Sequence, residues 1–348
     1  PLYSSAASDV YKRQDQLARE GVRFTNGLST CPVCTPYRGM VQTGRYPTHS
    51  GILLNFTEAH PSLRCVAHDF RDAGYHTGFI GKWHLSGGIH KYAGLNEFPS
   101  KEKWQSLQDP NAEYVPPGPH RLGYDHWEAF NFHASFNNYW FYRDEKERVY
   151  YPGYETDIQT DQAIGFMKAC QHANEPFYLT VAPHPPHPPF RTSHCPEGYL
   201  EKIPENLHWS PNVPENHPRR TNPFEARCYY AMSKNTDDNI GRIMKFLHES
   251  GLIKNTIVVF TADHGEQHGS HNRTNKMVPY AESVNIPLIV RLPDGPRGET
   301  SDALYTPIDH RATLCGLAGL KAPQACDGID LSAVCRGQKD SDREDILM

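Results

Sequence analysis

Four short runs of apolar, largely β-branched residues, at 76–80, 177–181, 256–261 and 286–291, are each bounded by turn or breaker residues and read as buried strands. Helical spacing fills the intervals at 62–73, with Gly74 as its stop, at 157–172, and at 224–249, with Gly251 beyond it. Strands alternating with helices predict an α/β fold, a mostly parallel central sheet flanked by helices on both faces. The Pro-rich stretches 110–119 and 183–189 are flanked by aromatics and read as ordered loops. No apolar run approaches the roughly 18–20 residues needed to span a bilayer, so no membrane span is expected.

Composition narrows the function classes. At 38% hydrophobic and 11% aromatic over 348 residues, the chain can bury a sizeable core and is not of the disordered class. The 35 basic and 40 acidic residues leave a net charge of −5, which argues against a generic nucleic-acid binder. An anionic substrate would have to be drawn by a local cluster. Twenty histidines suggest a site rich in metal ligands or proton-transfer groups, although scattered surface histidines are the plainer account of most. Nine cysteines cannot all pair, and a chain this long needs no disulfide framework. The redox compartment stays open.

The ends read differently from the middle. Residues 1–14 have neither signal-peptide order nor a structural period, and are set aside as an extraneous segment. Recognisable pattern starts at Asp15, where 15–21 reads as a helix end capped by Gly21. Residues 343–348 stop without a turn signal, so a fragment of a longer chain is expected.

In open α/β sheets, ligands bind beyond the carboxyl ends of the strands, and here those ends carry chemistry. The first predicted strand runs into Gly81-Lys82-Trp83-His84, with Lys82 and His84 on one side if the chain stays extended. The second is followed by His184 and His187 on a proline-stiffened loop, and the third by Asp263, His264, Gly265 and Glu266. Any one of these groups is ordinary; three strands ending this way predict a shared site.

The segment 31–47 holds the candidate nucleophile. Thr35 suits an N-cap, Pro36 the first helical position, and Gly44 the helix end. Cys34 then stands at a helix N-terminus, which favours anions, and Arg38 adds a positive charge one turn inside. Three plainer readings compete: a redox or zinc half-site made by Cys31 and Cys34, a buried structural thiol, and a chance match. No second closely spaced cysteine pair follows, which weakens zinc.

Cys34-Thr35-Pro36-Tyr37-Arg38 followed by Thr43-Gly44-Arg45 resembles the signature of the formylglycine-dependent sulfatases. So do the Gly81–His84 block, the Pro-His-Pro-Pro-His loop ending at His187, Ala262-Asp263-His264-Gly265-Glu266, and Lys276 four residues before Tyr280, all in the family's order. The resemblance implies an alkaline-phosphatase-like fold, with a catalytic domain over 15–325 and the start of a smaller C-terminal subdomain over 326–348. It also implies that a maturase oxidises Cys34 to formylglycine, whose hydrated aldehyde offers one hydroxyl to attack sulfur and another to expel sulfate afterwards. Arg38 would hold the hydrate. Asp263 and His264, with residue 34, would bind a divalent cation, usually calcium in this family, although histidine is softer than calcium prefers. Lys82 and Lys276 would bind sulfate oxygens, His84 would be the base for sulfate elimination, and His187 would protonate the leaving oxygen. His184 is the alternative acid, and His271 a further candidate near the substrate.

Family members begin with a strand ending in paired aspartates that bind the cation, and no Asp-Asp pair precedes Cys34. The first strand of the sheet is therefore expected to be missing. The substrate implied is a sulfate monoester of a carbohydrate or aryl alcohol, and the location implied is periplasmic or extracellular. Two rivals stand: a phosphonate or phosphate ester hydrolase of the same superfamily, and a non-catalytic Cys/His metal-binding module. The aromatic-rich stretch 124–142 could stack on a sugar, but reads more simply as core.

Overall fold

The computed structural model describes residues 10–88, 113–338, 341 and 343–348. All four predicted strands form: β2 at His76–Lys82, β6 at Phe177–Ala182, β7 at Val258–Thr261 and β8 at Leu288–Arg291. Sequence reading missed the shorter or one-sided strands: β1 at Val22–Gly27, β3 at His126–Phe130, β4 at Asn138–Phe141, β5 at Val149–Pro152 and β9 at Glu299–Tyr305. Residues 110–112 of the first Pro-rich stretch lie outside the described residues.

The strands form a three-stranded sheet, β3-β2-β6, a four-stranded sheet, β7-β8-β1-β9, and a separate β4–β5 pair. The β2–β3, β2–β6 and β1–β9 ladders are parallel, whereas β8 runs antiparallel to both β1 and β7. The central layer is thus mixed rather than uniformly parallel.

Alternation along β6 and β7 shows that the two sheets belong to one layer. Phe177 and Leu179, with Val258 and Phe260, pack against Phe166, Met167, Met244 and Leu247 from the Glu155–Ala173 and Phe224–Glu249 helices. Tyr178 and Val259 point the other way, onto Val66, Phe70 and Leu314 from the Val66–Asp72 and Asp309–Leu317 helices. Between them lies a cleft of about 1370 Å³ lined by every residue of β6 and of β7. Among the described residues, β6 pairs only with β2 and β7 only with β8, so the edges lining this cleft carry no ladder.

Three expectations need correction. The 62–73 helix starts at Val66, because the Cys65 N–H donates to His68 Nδ1 at 3.2 Å and closes a capping box there. The 157–172 helix starts two residues earlier, at Glu155. The segment set aside at the N-terminus is folded from Val10 onward. Val10 is buried beside Cys228 and Met232, and a helix spans Lys12–Arg19. The Asp237 carboxylate accepts the Arg13 and Gln14 N–H groups at 2.8 and 2.9 Å, capping that helix from the Phe224–Glu249 helix. The described residues of the 326–348 segment pack onto the sheet. Leu331, Val334 and Cys335 complete the core of β1, β8 and β9, and Arg343 pairs with buried Asp309.

Candidate active site

The site is organised by the Cys34–Thr43 helix, which is buried along most of its length. It starts two residues earlier than the capping pattern predicts. Val33 is the extended N-cap residue, and Cys34 is the first helical residue. The Thr35 hydroxyl does not cap; it donates to the His84 carbonyl at 2.9 Å, while the Thr35 N–H donates to Asn55 Oδ1 at 3.0 Å. The helix ends as expected at Gly44, in the left-handed region at φ 68°. Cys34 is only 2% exposed.

The strand ends converge on this sulfur. His264 Nε2 lies 3.2 Å from Cys34 Sγ. His264 Nδ1 lies 2.9 Å from the Gly265 carbonyl, which takes a proton on Nδ1 and leaves Nε2 toward the sulfur. Arg38 reaches the Lys82 carbonyl and, at 3.4 Å, the Asp263 carboxylate. The Ser29 hydroxyl donates to the Asp263 carbonyl at 2.6 Å. Gly265 is required by close approach: a Cβ there would sit 2.0 Å from the Glu282 carbonyl oxygen, and the Gly265 N–H donates to the Ser283 carbonyl.

Charge explains the protonation pattern. Burial would raise the Cys34 thiol, but the Lys82 charge and the imidazoles of His187, His264 and His84 outweigh it and hold it well below its ordinary value. Burial pushes Lys82 down to about 8 despite the nearby sulfur. Burial, then Lys82, pushes His84 down to about 3. Asp263 stays below the usual carboxylate range despite burial, because His264, Arg38 and Lys82 favour its charge. His264 is raised, with Asp263 and Cys34 overcoming burial.

The two loop histidines separate in space. Burial lowers His187, and its contact with Cys34 opposes that. Its Nδ1 lies 2.7 Å from the Pro188 carbonyl, leaving Nε2 for the site. His184 is buried beside it, with ring centroids 4.4 Å apart, and its backbone N–H donates to Glu155 Oε1 at 3.0 Å. His187 is the one that faces the sulfur. Lys276 bears electrostatically on Lys82, His187 and His264, so it belongs to the cluster. His271 is placed differently. It stacks on Tyr280 at 3.9 Å and meets Asn212 and Glu282, none of them part of the Cys34 cluster.

Sequence reasoning missed Phe132, whose ring lies 5.0 Å from Lys82 Nζ and within about 6 Å of the His84, His184 and His187 rings. It also missed Asn131, whose carbonyl accepts the His84 N–H at 3.0 Å. Both lie inside the aromatic stretch read as core. That reading holds for Trp127, Tyr139 and Phe141, which are buried.

One ligand atom from each of Cys34, Asp263 and His264 lies within 4.8 Å of the others, a spacing that can hold a metal ion. No helix among the described residues is long and apolar enough to cross a membrane.

Comparison with known proteins fits this geometry. The chain is 32% identical over 341 residues to an ulvan-active sulfatase of Formosa agariphila, covering 96% of this chain and 62% of that protein. It is 30% identical over 321 residues to an endo-4-O-sulfatase of Bacteroides thetaiotaomicron, covering 88% of this chain and 62% of that one. The chain thus spans about three-fifths of the length of these curated relatives. A solved structure from work on glycosaminoglycan metabolism by Bacteroides thetaiotaomicron superposes with a TM-score of 0.82 at 27% identity, covering 97% of this chain and 70% of that one. The sulfatase family model matches residues 3–320, beginning inside the segment that sequence reading set aside. With that match over most of its length and the motif blocks gathered at one sulfur, the chain belongs to the sulfatase family.

Proposed function

We propose that this chain carries the catalytic centre of an exported hydrolase of sulfate monoesters, with a sulfated carbohydrate as substrate and residue 34 matured from cysteine to formylglycine by a partner maturase. The observation that carries the reading is the convergence of Arg38, Lys82, His84, His187, Asp263 and His264 on one buried helix-N-terminal sulfur. The carbohydrate class rests on the named activities of the two curated relatives.

The residues present fit both groups that the family implies. Both ring nitrogens of His84 are buried without a directed hydrogen bond, which suits a neighbour bearing hydroxyl groups. For the cation the fit is partial: one carboxylate, Asp263, and one imidazole, His264, stand ready beside residue 34. We propose that the cleft between β6 and β7 takes one further strand, whose acidic residues complete the oxygen ligands. Two strand edges, unpaired among the described residues and facing one cleft within a single layer, support this.

When present, the formylglycine hydrate supplies a regenerable oxygen nucleophile and the cation polarises the sulfate group. The chain's own residues do the rest. Lys82 and Lys276 bind sulfate oxygens and offset their charge. Arg38 holds residue 34 and, through the Lys82 carbonyl, the end of β2. His187 donates a proton to the leaving alcohol oxygen. His84 is the proton acceptor at residue 34; burial and then Lys82 keep it neutral, with its pKa at about 3, which also weakens it as a base. Phe132 excludes water behind these groups.

The test is turnover by protein co-expressed with a maturase, across aryl sulfates, carbohydrate sulfates, phosphate esters and phosphonates. Sulfate esters should lead, and Cys34→Ala should abolish turnover while the protein stays folded. A preference for phosphonates or phosphate esters would transfer the assignment to the rival hydrolase.

A further inference from the structure

Lys276 is delivered by a loop whose backbone local sequence does not favour. His268, His271, Asn272, Asn275 and Met277 all have positive φ, from 47° to 74°, a region that asparagine enters most readily and methionine least among these residue types. Lys276 lies between two of them, so the Asn275 and Met277 backbone sets its direction. Bonds from the Gln267 N–H to the Asn275 carbonyl, at 2.8 Å, and from the Gly269 N–H to the Arg273 carbonyl, at 2.7 Å, close the loop on itself. Such a loop needs an outside constraint to keep one shape.

Glu266 supplies it. Its Oε1 accepts the Asn275 N–H at 2.7 Å, immediately before Lys276, and the His268 N–H at 3.4 Å, so one carboxylate ties both ends. The same oxygen accepts from Arg219 Nη1 at 2.8 Å. Arg219 sits on the Pro218–Thr221 turn and is held from other sides, by Glu225 at 3.0 Å, by His268 Nδ1 at 3.0 Å and by the Phe190 ring at 5.2 Å. The Arg219 and Glu266 side chains are only 10% and 9% exposed, which strengthens a charge-assisted bond.

We propose that Glu266 and Arg219 are positioning residues for Lys276: the ion pair clasps the 266–275 loop and so sets where the Lys276 ammonium meets the substrate's anionic group. The proposal rests on the reading of Lys276 as a sulfate-binding residue. Glu266 is not among the residues whose ligand atoms gather beside Cys34.

The experiment compares Glu266→Gln, Arg219→Gln and Arg219→Lys with the parent by amide hydrogen exchange of the 267–276 segment and by steady-state kinetics on 4-nitrophenyl sulfate. Exchange in that segment should speed up by about tenfold or more in the two Gln variants and stay unchanged in β6 and β8. KM should rise about tenfold with kcat falling less than about threefold, and Arg219→Lys should lie between parent and Arg219→Gln. Unchanged loop exchange in folded Glu266→Gln, or equal behaviour of the two Arg219 variants, overturns the clasp. So does a uniform rise in exchange across the molecule with KM unchanged, which is what a merely structural ion pair gives. If Glu266→Gln does not fold, the Arg219→Lys and Arg219→Gln comparison decides. Absence of turnover in the parent overturns the proposed function instead, and loop exchange then still decides the clasp.

Discussion

Lys82→Met isolates the charge that governs the reactive position. In the unmodified protein, Lys82 is the largest of the influences that lower the Cys34 thiol, and burial opposes it. Opposite unit charges about 5 Å apart, at an effective dielectric near 20, interact by about 3 kcal/mol, or about two pKa units. Removing the ammonium therefore moves the thiol upward toward its ordinary value, because burial then meets only the three histidines. Lys82 is itself 1% exposed, so the neutral, similarly sized Met keeps the cavity filled without stranding a charge. The assay is the pH dependence of iodoacetamide alkylation, with fragmentation of the tryptic peptide 24–38 separating Cys34 from Cys31. An upward shift of about two units is expected. A midpoint within about 0.3 unit of the parent would show that the histidines alone hold the anion, and would refute the role given to Lys82.

Other outcomes follow from the same geometry. His187→Ala should cost about a hundredfold or more on sulfates with poor alcohol leaving groups and little on activated aryl sulfates, and His184→Ala should show no such dependence on the leaving group; equal profiles in a kinetic series would reject His187 as the acid. Because burial lowers His187, its protonated form is lost as pH rises past a point below its ordinary 6.5, so kcat/KM on poor leaving groups should decline above that pH, and a profile rising through neutrality would contradict it. Arg311→Leu should destabilise by about 3 kcal/mol in urea unfolding, since it leaves Asp69 with half-exposed Arg64 as its remaining ion-pair partner and frees the Thr43 carbonyl at the end of the Cys34 helix; a loss under about 1 kcal/mol would mean that Arg64 and solvent replace the pair. A longer version of the chain that supplies a strand for the β6–β7 cleft should bind calcium at least about tenfold more tightly by calorimetry, and equal affinities would refute the proposed completion of the cation site.

What sequence could reveal depended on how local the signal was. Lys82, His84, His187, Asp263 and His264 were legible because each follows an apolar run, and strand ends of an α/β sheet share one edge. Thr35 misled because capping preference is local, whereas its hydroxyl is recruited by the His84 carbonyl from 49 residues away. The order of the four-stranded sheet, with β1 between β8 and β9, was not legible: Val22 and Phe24 alternate with Arg23 and Thr25, but nothing in that pattern names a neighbour. Phe132 was missed, and Glu266 was named without a role, for one shared reason. Each acts on residues that loops bring to it, and neither lies in a pattern that sets it apart from core or from a motif's last letter.

The most direct measurement is mass spectrometry of the tryptic peptide 24–38 from protein co-expressed with a formylglycine-generating maturase. The account predicts that the sulfur of Cys34 is replaced by an aldehyde oxygen, with the Cys31 thiol intact. An intact Cys34 thiol, from cells in which a control sulfatase is fully converted, would contradict it.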